Sequence, residues 1–197
     1  MKRKIVIFIF ILSGCFVVLL SGMIIFSPYG SHNDLPYKAV KESIEIDAPA
    51  EIVYDYLGHS ENAAIWSVFV DHISSLNSSD AADGMPGSQR RCFTREDESG
   101  SRWDETILIA EYGKKRRLNI FNMHEFSFAA NHLLTEQLYE KTGKNSCRLT
   151  FTLFFDEGKA SFTDELKMYY AAYKVSDIFR KNLQNIKIYT ENIYGGK

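Results

Sequence analysis

The sequence predicts an α+β domain: a curled, seven-stranded antiparallel sheet in the order β-α-α-β6-α, closed by a long C-terminal helix and preceded by a transmembrane helix. Three observations predict it. Ile5 to Phe26 carries no charged residue. From Val68 to Asp156, strand-length runs with alternating faces are separated by turn-forming clusters. From Phe162 to about Ile193 there is no proline or glycine, and apolar residues recur every three or four positions.

The N-terminal span is long enough for a helix to cross a bilayer, which takes about 20 residues. An uncleaved anchor over residues 1–26 is the expectation. A cleaved signal peptide would want a shorter apolar region and a small-residue cleavage site, and none stands out after Phe26. "LSGC", Leu12 to Cys15, is similar to a lipoprotein box, but the residues after Cys15 stay apolar where a polar tether would follow. Lys2, Arg3 and Lys4 precede the span, and the next basic residues are Lys38 and Lys41. The positive-inside rule therefore places the domain on the extracytoplasmic side. "SPYGSHNDLP", residues 27–36, reads as a tether, and the domain runs over residues 37–194.

Beyond the span the chain is more acidic than its overall net charge of −2, because three of the 23 basic residues precede it and none of the 25 acidic ones does. That excludes nucleic acid as a partner, since its phosphates need a basic surface. The "KKRR" run, Lys114 to Arg117, reads as the decoration of a hairpin turn. The three cysteines, Cys15, Cys92 and Cys147, show neither a disulfide framework nor metal-ligand spacing. Cys92 and Cys147 fall on the third and seventh expected strands, which are not neighbours.

Within the domain, Ala39 to Asp47 alternates as a half-buried strand. Pro49 stops the ladder and suits the first turn of a helix. Glu51 complements the helix dipole, Ile52, Val53, Tyr56 and Leu57 form an apolar stripe, and Gly58 ends it. A second short helix covers Ser60 to Trp66. Strands follow at Val68–Leu76, Ser88–Arg95, Arg102–Tyr112, Arg117–His124, His132–Glu140 and Cys147–Asp156. In the third of these, Trp103, Glu105, Ile107 and Ile109 share a face. The final helix is capped by Ser161 or Thr163, and Tyr169, Tyr170, Tyr173 and Phe179 belong to its apolar stripe.

This order resembles that of the START-like helix-grip superfamily, also called SRPBCC, near its polyketide cyclase/dehydrase branch. The residues that carry the resemblance are "ESIEIDAPAEIVYDYL", the Trp66-bearing "NAAIWSVFVDHI", "GSQRR", "WDETILIAEYGKKRRLNIF", "RLTFTLFF" and the long last helix with "NLQNIK". It covers about Lys38 to Ile193. The resemblance implies a pocket between sheet and helix for a hydrophobic small molecule, polyketide or lipid. It leaves the activity open, because this fold hosts many functions.

Candidate pocket residues are Glu105, Arg90, Trp66, Trp103, Ile107 and Tyr173. A carboxylate on the apolar face of Glu105 must be paired or have a raised pKa. Arg90 is its expected partner, and Arg91 if the register slips by one residue. The pair either anchors a ligand's head group or braces the sheet. His124 and His72 also lie on expected strands, and Glu105, Arg90 and His124 are the only candidate actors for an enzyme. No catalytic set, metal site or cofactor is expected: there is no histidine pair at ligand spacing, no nucleophile elbow and no phosphate loop. Three functions fit: a membrane-tethered binding protein for a hydrophobic small molecule or lipid, a cyclase/dehydratase-like enzyme, or an interaction domain whose pocket is filled by side chains. The first two call for an open cavity with Glu105 inside, and the last for a closed core. Oligomeric state leaves no mark in the sequence.

Overall fold

The computed structural model describes residues 2–157 and 159–195; in the N-terminal helix it describes side chains at residue 7 and from residue 10 onward. The elements are α1 (Lys2–Ile25), β1 (Gly30–Ser31), β2 (Lys38–Ile46), α2 (Ala50–Gly58), a 3-10 turn (Ser60–Asn62), α3 (Ala63–Trp66), β3 (His72–Ser75), β4 (Gln89–Phe93), β5 (Arg102–Glu111), β6 (Lys115–His124), β7 (Leu133–Lys141), β8 (Cys147–Phe155) and α4 (Phe162–Gly195). They form one antiparallel sheet in the order β1-β2-β8-β7-β6-β5-β4-β3. Strands β3 to β8 are a meander, and β2 returns beside β8 with Val40 opposite Leu153 and Ile44 opposite Leu149.

The sheet has eight strands, not seven. The additional one, β1, lies in the stretch expected to be a tether and pairs Gly30 with Ala39 and Ser31 with Lys38. Tyr29 causes this. It is buried, with its ring edge-on to Phe155 and Tyr169, so the chain beside it is held along the sheet's edge. Tyr29's burial outweighs the turn-forming composition around it.

The expected transmembrane helix is also corrected, and the extracytoplasmic placement with it. A helix forms over Lys2–Ile25, but among the described residues no helix is long and apolar enough to cross a membrane. Lys2, Arg3 and Lys4, on which the orientation rested, lie outside the described side chains. The C-terminal end of α1 is tied to α4 instead. The Tyr173 hydroxyl donates to the Met23 carbonyl (3.0 Å), and the Ser27 hydroxyl to that of Tyr169 (2.8 Å).

Pro49 opens α2, and its carbonyl accepts from the Ile52 and Val53 amides. The buried face is Ala50, Val53, Tyr54 and Leu57, turned from the expected stripe so that Tyr54 packs inward. Tyr54 lies edge-on to Tyr139 and under the guanidinium of Arg116. Gly58 leaves room for this guanidinium: a Cβ would stand 3.1 Å from Arg116 Nη2, and the arginine would have to give by a few tenths of an ångström.

In α4 the residues that bury are Asp164, Met168, Ala172, Ser176, Asn182, Leu183, Ile186 and Thr190. Tyr170 and Tyr173 face out, contrary to the expected aromatic stripe. Small residues along this line let the helix approach β2 closely. The core has two main clusters, one under α2 around Leu149 and Ile186, the other around Val40, Leu153 and Met168.

Candidate ligand pocket

Because the sheet curves round α4, one cavity touches strands β3 to β8, α3 and the middle of α4. Its volume is about 200 Å³. Strand alternation supplies the wall: Arg90 and Cys92, Trp103 and Glu105, Leu118 and Ile120, Leu133, Thr135 and Gln137, and Phe151 and Leu153. The helix side adds Trp66, Phe69, Val175 and Phe179. Most of this wall is apolar.

The polar exception is built by register. Arg90 is directly opposite Glu105, and its Nε donates to Glu105 Oε2 at 2.9 Å. Trp103, two residues earlier on the same face, donates its indole N–H to Oε1 at 2.8 Å. Both carboxylate oxygens are thus engaged. Arg90 Nη1 reaches Ser60 Oγ (3.3 Å), which in turn donates to Asp83. Burial works against the charge on Arg90, but Glu105 outweighs it and holds the guanidinium above its ordinary pKa. Burial also pushes the Cys92 thiol well up, and the Glu105 charge adds to that. Arg91, one residue along, points to the other face and forms a two-pronged pair with Asp104 at 2.7 and 3.0 Å. The register therefore selects Arg90 as the partner of Glu105.

Trp103 stacks on Phe69 and meets Phe126 edge-on at one end of the cavity. Trp66 lines the helix side, edge-on to Phe151, with its indole N–H buried and without a hydrogen-bond partner among the described residues. Ile107 is buried opposite Leu118 but does not line the cavity. Tyr173 lies outside it, half-exposed beside α1. His124 is exposed beside Glu125, and His72 bonds to Asp71; neither reaches the cavity. Among the described residues no group of three or more His, Cys, Asp or Glu side chains could hold a metal.

Two residues were not singled out by the sequence reading. Gln137 lines the cavity, and Arg116, its partner across β6 and β7, is only 1% exposed. The signal was present in the alternation of β6, which sends Arg116 to the same face as Leu118 and Ile120. The basic run disguised it as a turn.

The architecture matches solved structures at low sequence identity, which speaks to the fold alone. A protein from Thermobifida fusca shares 16% identity over 77% of this chain and 92% of its own, with a TM-score of 0.59. Norcoclaurine synthase from Thalictrum flavum, in complex with dopamine and hydroxybenzaldehyde, shares 9% over 81% and 88%, with a TM-score of 0.57. The Zhui aromatase/cyclase from a Streptomyces species shares 14% over 78% and 93%, also at 0.57. No curated protein matches the chain. The model of one family matches residues 38–191, the whole run from β2 into the last turns of α4. With its curved sheet, long closing helix and internal cavity, the chain belongs to the polyketide cyclase / dehydrase and lipid transport family.

Proposed function

We propose that this domain binds a small hydrophobic molecule in the cavity between sheet and α4. The observation that carries the reading is the cavity itself: about 200 Å³, walled mainly by apolar and aromatic side chains, with one ion-paired polar patch. An engineered cavity of about 150 Å³ accepts benzene, and typical ligand sites span roughly 300–1,000 Å³. A ligand of one or two fused rings fits that scale better than a lipid with long acyl chains. An open cavity also counts against a pocket filled by its own side chains.

A cyclase or dehydratase activity has less support. General acid–base catalysis needs a titratable group free to exchange a proton with substrate. Both oxygens of Glu105 already accept hydrogen bonds, and His124 faces solvent. The likeness to norcoclaurine synthase, at 9% identity, is one of fold and lends no support to a reaction here.

The test is native mass spectrometry and organic extraction of the purified protein, with Glu105→Ala alongside. The expected result is a co-purifying small apolar compound that the variant retains less well. Absence of any compound, together with no thermal shift of the wild type in a panel of one- and two-ring aromatics, would sink the reading.

A further inference from the structure

We propose that Gln137 is the polar anchor of this pocket and that it selects ring compounds bearing a carbonyl or similar acceptor oxygen; the proposal rests on the ligand-binding reading above. Arg116 stands opposite Gln137 across β6 and β7 and is almost completely buried. Among the described residues it has no carboxylate partner. Its guanidinium is met by Gln137 Oε1 (3.2 Å), the Tyr139 hydroxyl (3.3 Å) and the face of the Tyr54 ring (4.2 Å).

An arginine can only donate. The Gln137 atom facing Arg116 must therefore be its oxygen, which fixes the orientation of the amide. Tyr139 reinforces the choice, because its hydroxyl donates to the same oxygen at 2.7 Å. Burial raises the pKa of that phenol, so it remains a donor. The amide nitrogen is then directed away from Arg116, on a side chain that lines the cavity, and no hydrogen bond within the described residues uses it. A buried positive charge on the oxygen side polarises the amide and strengthens the N–H donor on the other.

The contrast with Glu105 sets the polarity of the ligand. That carboxylate has each oxygen committed, to Arg90 and to Trp103. The cavity's unused hydrogen-bonding capacity at Gln137 is a donor, and it is matched by an acceptor.

The chain has two tryptophans, and both line the cavity, so intrinsic fluorescence reports on occupancy. The full chain is titrated with 1-tetralone and with tetralin, which differ by one carbonyl oxygen. Gln137→Glu keeps an oxygen toward Arg116 and Tyr139, stays ionised beside Arg116, and replaces the free amide with a second acceptor. It should weaken 1-tetralone about tenfold or more, the scale of one lost hydrogen bond plus repulsion. Tetralin should change less than about twofold. The melting temperature should hold or rise, since Arg116 gains a carboxylate. Gln137→Met should lose the ketone similarly but melt lower. If ketone and hydrocarbon weaken together, or the ketone is unaffected, Gln137 is not the anchor and the pocket reading survives. If the wild type binds neither probe, selection of carbonyl-bearing two-ring compounds by Gln137 is overturned, while the pocket reading stands or falls on extraction and the aromatic panel above.

Discussion

In an otherwise apolar wall, Arg90 and Trp103 each bond one oxygen of Glu105. Such a pair adds little net stability over apolar residues, but breaking it strands a charge. Arg90→Leu is expected to destabilise the protein by about 3–5 kcal/mol, and Arg90→Leu/Glu105→Leu should recover most of that, both read from urea denaturation. A single-variant loss below about 1 kcal/mol would mean that solvent reaches the carboxylate. The thiols allow a second prediction. Cys92 and Cys147 are buried, and burial pushes Cys147 up to about 11, whereas Cys15 is exposed. At pH 8 an aromatic disulfide reagent should label Cys15 in the native protein, and all three cysteines only after unfolding. The Arg90–Glu105 pair was legible because it depends on one hairpin register and on alternation. Arg116 was not, because four consecutive basic residues look solvated until a strand is drawn through them.

At the scale of elements, caps and edges decide what composition leaves open. Ser161 caps α4: its hydroxyl accepts from the Asp164 amide and donates to the Asp164 carboxylate, and Lys167 adds a charge partner. Ser161→Ala should cost about 1 kcal/mol, within the usual range for such a cap, measured as a fall in melting temperature. The cap was readable from the sequence, as were the proline start of α2 and the run of hairpins. Strand β1 was not, since two residues carry no alternation and only the burial of Tyr29 brings them to the edge. Part of the α4 stripe was misread for a related reason: Tyr170 and Tyr173 face out, while Tyr169, Phe179, Leu183 and Ile186 pack on the core. Tyrosines are apolar enough to mark a face, yet the side of the helix that meets β2 needs small residues such as Ala172 and Ser176.

For the whole molecule, acid is the general solvent threat. The Asp104 carboxyl is held below its ordinary value chiefly by Arg91, that of Asp164 by Ser161, and that of Glu51 by Lys141. Each depressed pKa means the folded state binds its proton less readily than the unfolded chain. The stability these groups contribute is complete above the ordinary carboxyl values of 3.8 and 4.5 and is lost as the pH falls through the lower folded-state values. Urea midpoints should therefore be flat above about pH 5 and drop below pH 4, and Asp104→Asn should reduce the slope of that drop. The family architecture could be read from the sequence because it rests on element order. The cavity's size and the polarity of its wall could not, since they depend on how far the sheet curves and which side chains that curvature brings together.

The place of β2 in the sheet has a kinetic consequence. Its partner β8 begins about a hundred residues later, and α4, which packs on it, comes later still. During synthesis the first long strand, paired only at its start with the two-residue β1, must wait for its main partner until almost the entire chain has emerged. Contacts of such long separation are costly to close and tend to form after the local hairpins. Val40, fully buried between β8 and α4, should then be a late arrival. Val40→Ala is expected to speed unfolding while leaving the refolding rate nearly unchanged, as a stopped-flow chevron would register.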